Sequence, residues 1–149
     1  MLTQTARYAL HCLGFLANSD GSRIPGQTIA EATGIPANYL SKILNQLRKH
    51  GIVDAEKGWG GGFQLREGAV ERPILDVVEI LEGSDNSQVE GCLFGLPECN
   101  PKKPCPLHSH WAEIKERYRT MLSGIRIADL ATNERTRARP TRRGSRSRR

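Results

Sequence analysis

Residues 27–51 read QTIAEATGIPANYLSKILNQLRKHG and contain two helical segments joined by a glycine-containing turn. Ile29 and Ala30 begin a short first helix. Gly34 supplies the positive φ angle that a tight turn demands, and Pro36 pre-sets φ for a new helix. Four apolar residues then recur at the spacing i, i+3, i+4, i+7, namely Leu40, Ile43, Leu44 and Leu47. The segment predicts a helix-turn-helix.

The second of these helices has a polar face opposite its apolar stripe. Its side chains are mostly short hydrogen-bonding groups, which suit base edges and phosphates. We predict that this face contacts DNA through Asn38, Tyr39, Ser41, Lys42 and Asn45. An ordinary pair of packed helices with a solvated face is the alternative that this segment alone leaves open.

The next residues, IVDAEKGWGGGFQLRE, predict two short strands, Ile52–Glu56 and Phe63–Arg66, around a turn with four glycines. A hairpin directly behind a recognition-type helix is a wing. Glycines leave backbone N–H groups open and permit close approach to phosphates, while Trp59 is suited to lie against a sugar or a partner surface. We predict that the wing contacts DNA through Lys57, Gly60 and Gly61. A nucleotide-binding loop is disfavoured because no GK[ST] follows the glycines.

Further helices are predicted on both sides of this segment. The apolar spacing of residues 2–16 indicates a first helix, and Pro73 and Gly83 bound another. Residues 1–83 thus form a winged helix-turn-helix domain, in a chain that is mainly α with one small β-hairpin. Cys12 matches no ligand position and is interpreted as a small buried hydrophobe.

Residues 91–111, GCLFGLPECNPKKPCPLHSHW, hold three of the four cysteines in an irregular, proline-rich loop, which we assign to residues 84–110. Their spacing is C-x6-C-x5-C-x2-H. Zinc sites usually use C-x2-4-C pairs, which are missing here, whereas iron–sulfur clusters accept wider spacing. Three thiolates and one imidazole suit a two-iron, two-sulfur cluster, held by Cys92, Cys99, Cys105 and His108. Structural zinc and metal-free or redox-active thiols remain the alternatives.

Residues 111–133 are predicted to form a dimerisation helix and its return. Apolar residues alternate in steps of four and three, which is the seam of a helix that packs on another helix. They are Leu107, Trp111, Ile114, Tyr118, Met121 and Ile125. We therefore expect a homodimer, with packing onto the chain's own domain as the alternative.

Charge and length bound the remaining possibilities. The 149-residue chain carries a net charge of +6, but residues 134–149 alone carry +7, which leaves −1 for residues 1–133. This arginine-rich tail has few apolar residues to bury, so we expect it to be disordered and to act as an electrostatic appendage.

No signal peptide or membrane-spanning stretch is evident, so a cytoplasmic protein is expected. Clustered cysteines in that reducing compartment favour metal ligands over disulfides.

Together the opening ARYAL, the wing KGWGGGFQL, the three-cysteine loop, CPLHSHW and the terminal IRIADLATN resemble the IscR-type bacterial regulators, which include the NsrR and RirA groups. The resemblance covers residues 1–133. It implies a homodimeric transcription factor, bound to double-stranded operator DNA, whose cluster state sets its DNA affinity. It also implies Cys92, Cys99 and Cys105 as cluster ligands and His108 as the histidine ligand.

Two positions and one spacing differ between this chain and groups of that family. Arg7 stands where the NsrR group has an acidic ligand, so a ligand from the first helix is disfavoured. Ser41 stands where some members carry glutamate, so the operator sequence does not transfer. The gap between Cys92 and Cys99 is one residue longer than the usual five, which leaves the two-iron and four-iron clusters both open, the two-iron form being favoured.

An enzyme is disfavoured because no catalytic arrangement is evident.

Overall fold

A computed structural model describes residues 2–83 and 91–132. The tail at 134–149 and the first part of the predicted loop, 84–90, lie outside the described residues. The elements are α1 (Gln4–Ala17), α2 (Gly26–Thr33), α3 (Ala37–Lys49), β1 (Val53–Glu56), β2 (Gly62–Leu65), α4 (Ile74–Glu82) and α5 (His108–Gly124), with short 3-10 helices at Ala69–Glu71 and Ile127–Thr132. The predicted fold class, mainly helical with one hairpin, is confirmed. None of these helices is long and apolar enough to span a bilayer.

The helix-turn-helix forms where the sequence predicts it, although α2 begins at Gly26 rather than Ile29. Pro25 fixes the φ angle at the entrance, and its carbonyl accepts the Ile29 N–H at 3.1 Å, so the first turn starts earlier than the apolar pattern. Gly34 ends α2 with a φ of 71° and donates its N–H to Ala30 O at 2.9 Å. This is the left-handed turn that a glycine permits.

One hydrophobic core joins nearly all the helices. The four apolar residues of the α3 stripe are each at most 2% exposed, and they pack with α1, α2 and α4. Cys12 of α1 is fully buried in the same core, as predicted, and burial raises the pKa of its thiol to about 12. Leu122 of α5 and Ile127 beyond it also belong to this core. The C-terminal segment is therefore packed against the winged domain.

The hairpin is antiparallel and pairs Val53 with Leu65 and Glu56 with Gly62. β1 begins one residue later than predicted and ends at Glu56 as predicted, whereas β2 begins and ends one residue earlier than predicted. A third segment joins it, because Ile24 and Phe63 exchange two backbone hydrogen bonds of 2.9 and 2.8 Å. The wing is thus bonded directly to the loop that precedes α2.

The C-terminal segment is held at two places. Ile74 donates its N–H to Ile125 O at 2.8 Å, which links the start of α4 to the end of α5. Residues 127–132 pack on α1, where a methyl group on Gly14 would lie 3.2 Å from Leu130 O. The predicted seam is therefore divided. Tyr118 and Ile125 pack partly against the core, whereas three members stay exposed: Leu107, Ile114 and Met121.

Candidate DNA interface and cysteine loop

The polar face of α3 is exposed over its whole length. All five predicted contact residues are at the surface, on the side away from the buried stripe: Asn38, Tyr39, Ser41, Lys42 and Asn45. Tyr39 is 52% exposed and packs edge-on against Tyr8, with ring centroids 6.4 Å apart. Asn45 Oδ1 accepts a 3.0 Å hydrogen bond from Arg48. The helix presents amide, hydroxyl and cationic groups together, which is the chemistry of base-edge and phosphate contacts.

The wing turn is tighter than its composition suggested. Gly61 donates its N–H to Gly58 O at 3.0 Å, and Gly60 adopts a φ of 74°. The Gly61 N–H is therefore used inside the turn and is not open to a phosphate, contrary to the expectation from the sequence. Its role is steric, because a Cβ there would lie 2.4 Å from Glu56 O. Lys57 and Gly60 are exposed.

An open cleft of about 1060 Å³ separates α3 from the wing. Of the predicted DNA contacts, five line it: Ser41, Asn45, Lys57, Gly60 and Gly61. The other three, Asn38, Tyr39 and Lys42, are exposed on α3 outside its lining. The structure therefore brings the hairpin and the middle of the recognition helix onto one concave surface.

Arg23 and Arg48 add two cations to this cleft. Arg23 forms a 3.0 Å ion pair with Glu56, and its Nη1 is buried without a hydrogen-bond partner within residues 2–83 and 91–132. Sequence reasoning did not find Arg23, because only the long-range bridge between Ile24 and Phe63 carries it to the wing. The pair with Arg23 offsets the acid Glu56, so Lys57 and Arg48 leave the cleft with an excess of positive charge.

The four predicted ligands of the cysteine loop lie in two close pairs. Cys92 Sγ is 3.9 Å from Cys105 Sγ, and Cys99 Sγ is 3.2 Å from His108 Nδ1. All four side chains are half-buried. Across residues 2–83 and 91–132, no three of the His, Cys, Asp and Glu side chains converge closely enough for one ion. His110, two residues beyond His108, points to the surface and is exposed.

The donor types fit a metal or cluster, and so does the spacing of one of the two pairs. Two thiolates on one tetrahedral metal lie about 3.8 Å apart when each metal–sulfur bond is about 2.3 Å. The 3.9 Å between the Cys92 and Cys105 sulfurs agrees with that spacing. A backbone hydrogen bond from Leu96 is the main cause that lowers the pKa of Cys92. Since the thiolate is the metal ligand, this loop favours the ligating form of Cys92.

A contact that the sequence did not reveal ties this loop to α5. The indole Nε1–H of Trp111 donates to Gly91 O at 2.8 Å, one residue before Cys92. His108 donates its backbone N–H to Cys105 O at 3.0 Å, so the predicted histidine ligand stands in the first turn of α5. The sequence pattern places Trp111 in the helix seam alone, since a side-chain bond across twenty residues leaves no periodic signal.

Comparison with known proteins adds the following. Residues 2–133 match the family described as Rrf2, iron-dependent transcriptional regulator. The regulator IscR of Klebsiella pneumoniae is 31% identical over 134 residues, which covers 89% of this chain and 80% of that protein. The crystal structure of oxidised CymR of Staphylococcus aureus has a TM-score of 0.70 at 25% identity, covering 89% of this chain and 97% of that one. T. potens IscR has a TM-score of 0.70 at 24% identity, covering 89% and 86%.

Proposed function

The chain belongs to the Rrf2 family of transcriptional regulators, and from that premise we propose that it is a homodimeric operator-binding protein whose DNA affinity is controlled by an iron–sulfur cluster. The family makes it a DNA-binding regulator with a winged-helix fold rather than an enzyme. The cluster, the dimer and the sensed signal, which is iron, redox state or nitric oxide, are the parts that we add. Such a regulator acts on the chromosome, in the cytoplasm.

The cleft between α3 and the wing supports DNA as the ligand. The major groove admits an α-helix, and the polar face of α3 is exposed for that purpose, with a wing beside it that can contact the adjoining backbone or groove. Cationic Arg48 and Lys57 stand on the two sides of the cleft. Their charge is placed for phosphate contacts, whereas Ser41 and Asn45 carry the groups that distinguish bases.

The pairing of the four ligands is the observation that carries the cluster assignment. A two-iron cluster takes two protein ligands at each iron, and the loop offers Cys92 with Cys105 and Cys99 with His108. When bound, such a cluster supplies a redox-active centre that is open to attack by small molecules. Three thiolates and one neutral imidazole hold it less firmly than four thiolates, which suits a site that must respond to its surroundings.

The exposed apolar residues of α5 support a dimer and a route from the loop to DNA. Leu107, Ile114 and Met121 recur every seven residues and are 38%, 53% and 49% exposed. Trp111 and His108 join the loop to this same helix. A change in the loop therefore bears on the helix that sets the distance between two recognition helices, and that distance decides which half-site spacing is bound.

Anaerobic purification tests the proposal. We expect coloured protein with iron and sulfide in equal amounts, whose operator affinity, titrated at fixed salt, changes when a chelator removes the metal. The operator is obtained by selecting duplexes from a random library with the metal-loaded protein. Colourless protein that contains zinc, with an operator affinity that oxidant or reductant leaves unchanged, would instead establish a winged-helix protein with a structural zinc site and no sensing role.

A further inference from the structure

Trp59 is the most exposed large apolar side chain that the structure describes. It occupies the corner of the wing turn, which is closed by the hydrogen bond from Gly61 N–H to Gly58 O at 3.0 Å. The φ of 74° at Gly60 is that of the third position of a type II turn, and it places Trp59 at the second. Because the other three residues of this turn, 58, 60 and 61, are glycines, the indole is the only side chain that the turn carries.

The turn that carries Trp59 belongs to a hairpin that is fixed to the loop before α2 by backbone contacts and one ion pair. A Cβ on Gly62 would lie 2.5 Å from Ile24 O, so the wing and the loop before α2 touch directly. The two hydrogen bonds between Ile24 and Phe63 and the Arg23–Glu56 ion pair hold the same junction. An aromatic side chain with two torsions on a fixed turn loses little conformational freedom when it binds.

The surroundings of Trp59 identify its partner. It lines the cleft together with Lys57 and Arg48, and Ser41 and Asn45 of α3 line the same cleft. A cationic rim with one projecting aromatic ring matches a polyanion that carries stackable or apolar surfaces at its grooves, which is duplex DNA. A protein partner is less suited, because protein interfaces use clusters of apolar residues, and the neighbours of Trp59 in the turn are glycines.

We propose that Trp59 is a wedge that enters the minor groove beside the half-site and packs against or between its base pairs. The proposal rests on the DNA-binding function proposed above. Apolar wedges unstack flexible steps most cheaply, and pyrimidine–purine steps such as TA are the most flexible. The protein therefore selects operator flanks by their deformability, in addition to the bases that α3 reads.

The chain's two tryptophans permit a direct optical test. Wild type carries both indoles and Trp59→Phe carries only the indole on α5, so the difference between their emission spectra reports Trp59 while the hydrogen bond from Trp111 to Gly91 is kept. With a duplex that the wild type selects from a random library, we expect Trp59 emission to be quenched and shielded from acrylamide on binding. Trp111 emission is expected to keep its acrylamide accessibility. Shielding of Trp59 by higher protein concentration without DNA would assign it to a subunit contact and overturn the wedge.

Selection with the variant proteins supplies the second readout. Trp59→Ala is expected to lose the enrichment of TA steps at the flanks and to bind the wild-type duplex roughly 5- to 150-fold more weakly, while keeping the central bases. Trp59→Phe, which retains an aromatic wedge, should recover most of both. If the wild type enriches duplexes but Trp59→Ala returns the same flanks, the wedge alone is wrong. If the wild type enriches no duplex, the proposed DNA-binding function fails with it.

Discussion

The wing turn is rich in glycine and the cysteine loop is rich in proline. The two segments are held in opposite ways. The wing is fixed by backbone bonds to Ile24, by an ion pair, and by glycine sites where no methyl group fits. No residue from 91 to 107 is buried, and the bond from Trp111 to Gly91 links the loop to α5. The wing is therefore preformed by the polypeptide, whereas residues 91–107 have no buried residue to hold them in the same way.

The largest expected effect is the loss of the proposed cluster when a cysteine of the loop is replaced. Ala at Cys92, Cys99 or Cys105 should abolish cluster assembly, because each removes a thiolate that packing cannot replace. Iron and sulfide analysis of anaerobically purified protein measures it. Cys12→Ala is the matched control, since it removes a thiol buried in the core and should keep full iron content. Iron retained in all three loop variants would contradict the assignment.

The two histidines next to the loop test which imidazole is the fourth ligand of the proposed cluster. His108 Nδ1 lies 3.2 Å from Cys99 Sγ, whereas His110 is exposed. His108→Cys should retain a cluster with an altered visible spectrum and a lower reduction potential, since histidine in place of cysteine raises the potential of Rieske centres. His110→Ala should leave spectrum and iron content as in the wild type. Loss of the cluster in His110→Ala, with His108→Ala unchanged, would transfer the ligand role to His110.

The next effect compares the stability of the two regions. Leu47→Ala should lower the free energy of unfolding by about 2 to 5 kcal/mol, since Leu47 is fully buried. Phe94→Ala, in the loop, should change it by at most about 0.5 kcal/mol, because that ring is 60% exposed. Urea denaturation of the metal-free proteins measures both. Equal losses would mean that the loop is packed as firmly as the core.

On the DNA side, Lys42→Ala or Asn45→Ala should weaken specific operator binding by about 1 to 3 kcal/mol if each loses a good contact. Dimerisation and iron content should not change. Lys103→Ala removes the same charge from the exposed surface of the cysteine loop and serves as the control. Titration at one fixed salt concentration distinguishes them. Unchanged affinity in both α3 variants would mean that α3 is not the recognition helix.

The last effect, which is absent at neutral pH and grows only above pH 9, concerns the Cys12 thiol. Burial raises the pKa of its thiol from 9.0 to about 12. Between these values the unfolded chain has lost the proton and the folded chain still holds it, so stability falls as pH rises. Below pH 9 the Cys12 thiol is protonated in both states and stability does not depend on it. Above pH 9 its ionisation in the unfolded chain lowers the free energy of unfolding by at most about 1.4 kcal/mol per pH unit. Wild type should therefore lose more stability than Cys12→Ala in urea titrations across this window, and parallel losses would contradict the burial.

Most of the fold could be predicted because it depends on local patterns. The spacing of the apolar residues of α3 fixed its buried face, and Gly34 and Pro36 fixed the turn before it. The start of α2 at Gly26 was missed, because Pro25 begins the helix before any apolar residue appears. The bond between Ile24 and Phe63 joins residues 39 apart, and a one-residue bridge leaves no repeating pattern to detect.

The candidate site divides in the same way. Residue type and spacing were enough to select Cys92, Cys99, Cys105 and His108, because thiols and imidazoles are rare and their clustering is visible in one dimension. Their division into pairs was not predictable, since an irregular loop has no period. Arg23 and Trp111 were missed as members of the cleft and of the loop's attachment, because each acts through a contact distant in sequence.

The packing of residues 127–132 on α1 has a consequence for how such proteins can be cut and recombined. A fragment that ends at Gly83 would lack Leu122 and Ile127, and with them part of its own interior. Residues 91–107 contribute nothing to that interior. In chimaeras, residues 91–107 can therefore be exchanged without removing any of this interior, whereas α5 must be transferred together with the helices against which it packs.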